Sequence, residues 1–123
     1  MSRPFFSIVI PTYNRPDDLN NVIKSVLCQN YSNYEIIVSD NSTNTDSEII
    51  CRSFKNKKIK YSKNKDNIGF TRNFYKVIKQ AKGKYIYTLS DDDLFLRSDS
   101  LANIYKIIQK HHYGYVRQKF IYQ

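Results

Sequence analysis

Three consecutive carboxylates, Asp91, Asp92 and Asp93, follow directly on the apolar residues 84–90. Carboxylates so close together repel one another, and a divalent cation such as Mg²⁺, Mn²⁺ or Ca²⁺ relieves the repulsion by binding their hard oxygen atoms. An acidic triplet is also common in a solvated turn, since aspartate bends and caps the backbone readily. The position behind a predicted strand, with apolar residues 94–96 next in the chain, favours a metal-binding loop.

Two further polar clusters follow apolar segments earlier in the chain. Thr12, Tyr13 and Asn14 come after residues 6–10. They are typical of a turn with a helix cap, or of an aromatic platform beside a planar ligand ring. Asp40 follows the second such segment, where a carboxylate is either a cap for the next residues or a buried acceptor for an N–H group of a ligand. Neither cluster alone decides between its two interpretations.

A fourth polar segment, residues 66–73, carries Asn67, Gly69 and Arg72. Gly69 permits an unusual backbone angle or a close approach of another group. Arg72 has the planar, forked guanidinium that suits a phosphate. An exposed arginine on the first turn of a helix is nevertheless the simpler interpretation of the local sequence.

Two apolar patterns alternate along the chain, compact β-rich segments and segments with the apolar spacing of a helix, and the elements they predict must position these residues. β-rich segments predict strands at residues 6–10, 34–39, 59–62, 85–89 and 115–122. Amphipathic spacing predicts four helices. The first has its start marked by Asn14 and Pro16, and the second, weaker one lies at 46–54. The third runs through 74–81 and ends with Gly83 at its C′ position, and the fourth runs through 101–108 with Ser98 or Ser100 as its cap.

This alternation predicts an α/β fold with a mostly parallel sheet and helices on both faces. A chain of 123 residues has the length of one domain, so we expect residues 1–123 to form a single unit. In parallel sheets of this kind, ligands bind beyond the carboxyl ends of the strands, near the point where the strand order reverses. The polar clusters therefore converge on one edge of the predicted sheet.

The chain as a whole is basic, with a formal charge of +9 from 20 Lys and Arg against 11 Asp and Glu. Residues 52–65 contain seven of these cations and no acid. A solvated basic face is the favoured interpretation of this segment, with contact to anionic lipid or a phosphorylated carrier second. Nucleic acid is third, because no nucleic-acid-binding motif accompanies the cations, and we expect no nucleic acid partner.

Cysteine usage and hydropathy bear on the cell compartment. Cys28 and Cys51 have neither metal-like nor redox-like spacing and are predicted to be buried, reduced thiols. No segment has the length needed to cross a bilayer, and the first apolar stretch is too short for a signal peptide. We therefore expect a cytoplasmic protein, whose membrane contact, if any, is peripheral at the inner membrane surface.

Two other classes of α/β domain are disfavoured by the residues after the first strand. A dinucleotide-binding domain needs a Gly-x-Gly-x-x-Gly turn there. A receiver-type phosphoacceptor domain needs an acidic pair. This chain has Thr12, Tyr13 and Asn14 instead.

Four segments, in order along the chain, resemble the amino-terminal half of the family 2 glycosyltransferases, which have the GT-A fold. They are SIVIPTYNR at 7–15, YEIIVSDNS at 34–42, Asn67-Ile68-Gly69 with Arg72-Asn73, and AKGKYIYTLSDDD at 81–93. The resemblance implies a metal-dependent, inverting transferase that uses a nucleotide-diphosphate sugar, most commonly a UDP-sugar, with Mn²⁺ or Mg²⁺ as cofactor. The acceptor would be a saccharide or a lipid-linked molecule.

The resemblance also implies roles for individual residues. Pro11, Thr12 and Tyr13 would line the nucleotide base, Asp40 would accept a hydrogen bond from it, and Arg72 would help hold the base or the phosphates. Asp91 would lie near the ribose and, with Asp93, form the DxD motif that holds the metal. The substrate-binding set implied is Pro11, Thr12, Tyr13, Asp40, Asn67, Gly69, Arg72, Asp91 and Asp92.

The length of the chain departs from the family pattern. Members of the family are markedly longer, and their second half supplies the acceptor site and the general base. No base is identifiable here, since Glu48 and Asp99 lie on no loop expected to face the sugar. We therefore expect a truncated, donor-binding half-domain, or alternatively a non-catalytic fragment that binds only nucleotide and metal. Its open sheet edge, together with a tail containing Tyr113, Tyr115, Phe120 and Tyr122, predicts self-association.

Overall fold

The computed structural model of the chain describes residues 3–112 and residue 114, in which four strands alternate with four helices. The strands are β1 (Phe6–Thr12), β2 (Tyr34–Asp40), β3 (Ile59–Lys63) and β4 (Tyr85–Thr88). The helices are α1 (Pro16–Leu27), α2 (Asp46–Ser53), α3 (Phe70–Gln80) and α4 (Ser100–His111). These eight elements were all predicted; the predicted strand at 115–122 and the tyrosine-rich tail lie outside the described residues.

The four described strands form one parallel sheet in the order β3-β2-β1-β4. β1 is central and pairs along its whole length with β2, so that Ile8 lies beside Ile36 and Thr12 beside Asp40. β4 pairs with the other side of β1. The strand order therefore reverses between β1 and β4, and the predicted parallel α/β sheet is confirmed.

Helices cover both faces of the sheet. Alternate residues of β1 and β2, such as Ile8 and Ile36, pack in a core with the apolar sides of α1 and α4 and with Cys51 of α2. On the opposite face, Val9 and Ile37 pack against Val77 of α3. Every residue of β1 and β2 is buried, as expected for parallel strands covered on both sides.

The start of α1 differs from the prediction in one respect. Pro16 opens the helix, where its fixed backbone angle and missing N–H do no harm. The residue before it is Arg15, and Asn14 is not a cap. Asn14 instead has a left-handed backbone angle of 51°, and its Oδ1 accepts a hydrogen bond of 3.0 Å from the backbone N–H of Thr43. Asn14 thus joins the loop after β1 to the loop after β2.

The predicted role of Gly83 at the C′ position of α3 is wrong. The helix ends at Gln80 with an extended residue, Ala81, as its C-cap. A Cβ atom on Gly83 would lie 2.6 Å from the backbone nitrogen of Ser7, so glycine is required for close approach to β1. The Gly83 N–H donates to Ser7 Oγ at 2.7 Å, and Ser7 Oγ in turn donates to buried Glu35 at 2.6 Å. This cluster fixes the start of β4 against the amino-terminal end of the sheet.

Two further predictions are corrected. Neither Ser98 nor Ser100 caps α4; the residue before the helix is Asp99, whose carboxylate is held by two hydrogen bonds of 2.9 Å from Arg97 and so caps nothing. Cys51 is buried as predicted, but Cys28 is exposed. Cys28 is the C-cap of α1, two residues past Val26, the last buried position of that helix.

Among residues 3–112, no helix has the length and apolar character of a membrane span.

Candidate functional site

A cleft of about 330 Å³ opens where the strand order reverses, at the carboxyl ends of β1 and β4. This is the position at which open parallel sheets bind ligands. The loop after β2 and the start of α3 complete its walls. The lining residues are Pro11, Thr12, Tyr13, Arg15, Asn41, Asn67, Gly69, Phe70, Asn73, Ser90, Asp91 and Asp92.

Asp91 is the buried carboxylate of the cleft. Its Oδ2 accepts a hydrogen bond of 2.9 Å from Thr12 Oγ1. Burial raises the pKa of Asp91, while the Thr12 hydroxyl and the nearby charge of Arg15 act in the opposite direction. A cation bound in the cleft would relieve the cost of keeping this group ionised.

Asp92 is the exposed carboxylate of the cleft. Ser90 Oγ donates to its Oδ1 at 2.6 Å, and Arg15 Nη1 donates to its Oδ2 at 3.3 Å. These two donors lower the pKa of Asp92, and the hydrogen bond from Ser90 has the larger effect. The carboxyl group is therefore ionised at neutral pH. Arg15 thus places a cation at the mouth of the cleft, where an anionic ligand would meet it.

Asp93, predicted as a metal ligand, is placed differently. Its Oδ2 accepts a hydrogen bond of 3.3 Å from the backbone N–H of Ser90, and its own N–H donates to the Ser90 carbonyl at 3.1 Å. The side chain closes a turn and does not line the cleft. Of the three consecutive aspartates, two therefore face the cleft and one stabilises the loop.

The residues of the cleft fit a divalent cation that takes part of its coordination shell from a bound substrate and from water. Among the described residues, no group of three or more His, Cys, Asp or Glu side chains is placed to hold a metal ion. Mg²⁺ commonly takes only one or two carboxylates and completes its shell with water and substrate phosphates. Asp91 and Asp92 supply that number of carboxylates in one cleft.

A network of buried amides supports one wall of the cleft. Asn64 Nδ2 lies 2.7 Å from Asn41 Oδ1 and 2.9 Å from Asn73 Oδ1. Asn73 Nδ2 donates to the Ser39 carbonyl at 2.9 Å, and Asn41 Nδ2 donates to the Gly69 carbonyl at 3.1 Å. The end of β2, the loop after β3 and the first turn of α3 are thereby held together.

Gly69 stands at the corner of this wall. Its backbone angles, φ 85° and ψ 163°, belong to a region that is open almost only to glycine. Its N–H donates to Asn67 Oδ1 at 2.9 Å. The prediction of an unusual backbone angle at Gly69 is confirmed, and the angle turns the chain from the loop into α3.

Asp40 and Arg72 lie outside the lining of the cleft. Asp40 is fully buried, and its two oxygens accept hydrogen bonds from the backbone N–H of Ser42 at 2.8 Å and from the Tyr61 hydroxyl at 2.6 Å. Burial and the bond to Asp40 raise the pKa of Tyr61. Arg72 is exposed on the first turn of α3. The predicted contacts of both residues with a nucleotide stay predictions.

Five lining residues were assigned no site role from the sequence: Arg15, Asn41, Phe70, Asn73 and Ser90. All of them adjoin residues that were considered for such a role. Arg15 and Phe70 could be found only by knowing how the chain turns at Asn14 and Gly69, both of which have positive φ. Asn41 and Asn73 carry no local pattern that separates a buried amide from a loop residue.

The two carboxylates considered as substitutes for a general base do not line the cleft. Glu48 lies on α2, where it pairs with Arg52 at 3.3 Å. Asp99 is bound by Arg97, which lowers its pKa to about 2. Both are engaged in structural pairs.

Comparison with known proteins shows the family to which the chain belongs. The profile described as "Glycosyl transferase family 2" matches residues 7–122, and the chain belongs to this family. It is 36% identical over 94 residues to the putative colanic acid biosynthesis glycosyl transferase WcaA of Escherichia coli, covering 75% of this chain and 34% of that protein. It is 33% identical over 115 residues to a GalNAc(5)-diNAcBac-PP-undecaprenol beta-1,3-glucosyltransferase of Campylobacter jejuni, covering 91% of this chain and 36% of that one.

Solved structures agree with the fold. TarS of S. aureus in complex with UDP-GlcNAc superposes with a TM-score of 0.78 at 26% identity, covering 88% of this chain and 32% of the TarS chain. A mannosyltransferase of Pyrobaculum calidifontis shares the fold at a TM-score of 0.75 and 21% identity. The predicted GT-A fold is thereby confirmed.

The chain is much shorter than the proteins it matches. An uncharacterized glycosyltransferase of Rickettsia conorii is 39% identical over 91 residues, which make up 74% of this chain and 15% of that protein. The chain therefore spans between 15% and 36% of the length of the three relatives named here.

Proposed function

We propose that the chain binds a nucleotide-diphosphate sugar in the cleft between β1 and β4, as the donor-binding part of an inverting, metal-dependent glycosyltransferase. One observation carries the proposal: Thr12, Asp91, Asp92 and Arg15 converge at the reversal of strand order in a chain of this family. The cleft volume is at the lower end of the range that holds small ligands, about 300–1,000 Å³. TarS, a structural neighbour, has been solved with UDP-GlcNAc, which makes a UDP-sugar the first donor to test.

Asp91 and Asp92 would hold a divalent metal, Mn²⁺ or Mg²⁺, beside the diphosphate. A bound metal would stabilise the charge that develops on the departing nucleotide diphosphate. Arg15, which lies 3.3 Å from Asp92, orients that carboxylate and offers its remaining N–H donors to the phosphates. Thr12 holds the Asp91 carboxylate in a fixed orientation through its hydroxyl.

The base would lie against Pro11 and Tyr13, with Asn67 and Gly69 on the neighbouring wall. The sequence prediction adds Asp40 as an acceptor and Arg72 as a cationic contact. Contact of a ligand with Asp40 requires movement around Tyr61, because the carboxylate is fully buried. Asp40→Asn is expected to weaken the binding of UDP more than the binding of Mn²⁺ alone. An unchanged affinity for UDP would show that Asp40 is not part of the base pocket.

The acceptor would be a saccharide or a lipid-linked molecule. The printed names of two relatives concern colanic acid biosynthesis and an undecaprenol-linked substrate, which supports a role in polysaccharide biosynthesis. Asp91 and Asp92 are the only carboxylates among the described residues that line the cleft, and both are assigned to the metal. A general base for the acceptor hydroxyl would then be a residue other than those that line the cleft.

Calorimetric titration of UDP, first with Mn²⁺ and then with excess chelator, tests the proposal. Saturable binding that disappears with the chelator is expected. A folded monomer that binds no UDP in either condition would overturn the donor-site proposal. Mn²⁺ is a suitable first ion because the Pyrobaculum neighbour was solved with it.

A second candidate function is nucleotide and metal binding without transfer. It is favoured by the lining of the cleft, in which Asp91 and Asp92 are the only carboxylates contributed by the described residues. Incubation with UDP-GlcNAc, Mn²⁺ and a lipid-linked saccharide as acceptor, followed by assay of free UDP, separates the two. Turnover supports transfer or hydrolysis, whereas binding without UDP release supports the second candidate.

A cytoplasmic location with peripheral membrane contact is the proposed setting. Arg52, Lys55, Lys57, Lys60 and Lys65 are exposed on one continuous stretch that includes the edge strand β3. Such a cationic surface attracts anionic lipid by roughly 1 kcal/mol per basic residue near the membrane. Sedimentation with phosphatidylglycerol vesicles, but not with neutral ones, is expected at low salt. Equal recovery with both vesicles would exclude this contact.

Self-association through exposed apolar residues at and after β4 is the remaining proposal about partners. Ile86 of β4 is exposed, as are Leu94 and Leu96 in the segment that follows it. Exposed apolar side chains close together in the chain favour contact with another protein molecule. Sedimentation velocity should show concentration-dependent oligomers that Ile86→Lys removes. A monomer at all concentrations would reject the proposal.

A further inference from the structure

Phe70 is the most exposed of the large hydrophobic residues that the structure describes, at 73%. It lies at the first position of α3 and lines the same cleft as Thr12, Asp91 and Asp92. Tyr13, the residue directly after β1, is the other aromatic residue in that lining and is also exposed. Two exposed aromatic rings from separate segments of the chain therefore border the same cleft.

The ring of Phe70 is held in place although it is exposed. It stacks on Phe74, one helical turn further on, with the ring centroids 5.9 Å apart and an angle of 29° between the planes. The chain reaches it through Gly69, whose carbonyl accepts from Asn41 and whose N–H donates to Asn67. A ring fixed in this way loses little further freedom when a ligand packs on it.

We propose that Phe70 is a binding residue that forms a second aromatic wall of the cleft, with Tyr13 as the first, and that the nucleobase of the donor stacks on its ring. The inference deepens the proposed donor site and rests on it. Stacking of a base on an aromatic ring is sequence-tolerant, because every base has a π face. Phe70 would therefore contribute affinity for the base and little for the diphosphate.

A tryptophan at this position reports stacking directly. The chain has no tryptophan, so Phe70→Trp introduces a single fluorophore. We expect its fluorescence to be quenched by UDP in the presence of Mn²⁺, saturating at the concentration where calorimetric binding saturates. Tyr75→Trp is the matched control, since Tyr75 is exposed on the same helix at 62% and does not line the cleft. Its fluorescence should not change.

Affinity measurements separate a stacking role from a structural one. Phe70→Leu keeps an apolar side chain but loses the ring, and is expected to weaken UDP about tenfold, the effect of losing one base–aromatic stack. Mn²⁺ with pyrophosphate, a probe without a base, should bind Phe70→Leu as well as it binds the original chain. Phe70→Tyr should restore UDP affinity.

Two results would overturn the inference while leaving the donor site intact. One is UDP binding to Phe70→Trp with unchanged fluorescence. The other is equal weakening of UDP and pyrophosphate by Phe70→Leu, which would show that Phe70 acts through the shape of the loop. If the original chain binds neither UDP nor pyrophosphate with Mn²⁺, the donor-site proposal fails and the stacking role fails with it.

Discussion

The hydroxyl of Thr12 donates a hydrogen bond of 2.9 Å to the carboxylate of Asp91, across 79 residues of sequence. Thr12 ends β1, and Asp91 follows β4, the strand on the opposite side of β1 from β2. This bond therefore closes the floor of the cleft at the point where the strand order reverses. It also holds a buried, ionisable group in one orientation before any ligand arrives.

Asp91→Asn is expected to stabilise the chain without ligand and to remove metal-dependent nucleotide binding. Burial raises the pKa of Asp91 in the folded state, so folding favours the protonated form, and ionisation at neutral pH opposes folding. The neutral amide avoids that cost and can still accept from Thr12. Thermal unfolding at pH 7 should shift upward by about 2–4 °C. Added UDP and Mn²⁺ should raise the midpoint of the original chain only.

Thr12→Val is the companion change for Asp91→Asn. It removes the donor and leaves the carboxylate, which should weaken binding without the gain in stability. A fall in the midpoint of Asp91→Asn would show that the ionised carboxylate supports the fold, contrary to the direction of its pKa shift.

The sequence predicted the sheet well because β1 and β2 are buried on both faces and are therefore continuously apolar. Polar residues directly behind such strands must collect at one edge, so Thr12, Tyr13, Asp91 and Asp92 were identified as site residues and do line the cleft. This step needed only the order of the elements.

The order of the strands and helices does not predict which way the side chains of a loop point. Asp93 turns back to the N–H of Ser90, while Asp92 reaches Arg15, and nothing in three identical residues distinguishes them. Gly83 illustrates a second limit. A glycine required by the backbone of a distant strand has the same local context as a helix-ending glycine, so its role appears only when β1 and the residues before β4 are brought together.

Gly83→Ala should destabilise the fold. The added methyl group would lie 2.6 Å from the backbone nitrogen and the hydroxyl of Ser7, both part of the cluster with buried Glu35. Overpacking of this kind costs about 1–3 kcal/mol, which urea unfolding with an unchanged m value would measure. Lys82→Ala is the control, because its exposed side chain is lost while its N–H can still bond Glu35. Equal stability of both variants would mean that β4 moves freely away from β1.

The two cysteines should differ in reactivity toward a thiol reagent. Cys28 is exposed, whereas burial raises the pKa of the Cys51 thiol to about 12. A raised pKa means that the thiolate is disfavoured in the folded state, so at pH 8 Cys51 is protonated as well as inaccessible. One thiol should react with Ellman's reagent quickly and the second only on unfolding. Cys28→Ser should abolish the fast phase, and its persistence would place Cys51 at the surface.

Asn substitution at Asp92 and at Asp93 separates the two candidate metal ligands. The resemblance to the family implies Asp93, but the structure orients Asp92 into the cleft and uses Asp93 to accept from Ser90. We expect Asp92→Asn to weaken Mn²⁺-dependent UDP binding at least tenfold, because a neutral amide leaves Asp91 as the single charged ligand. Asp93→Asn should change that affinity less than about threefold, within the scatter usual for single interactions. The reverse order of effects in calorimetry would return the metal to Asp93 and would require the loop after β4 to rearrange when the ion binds.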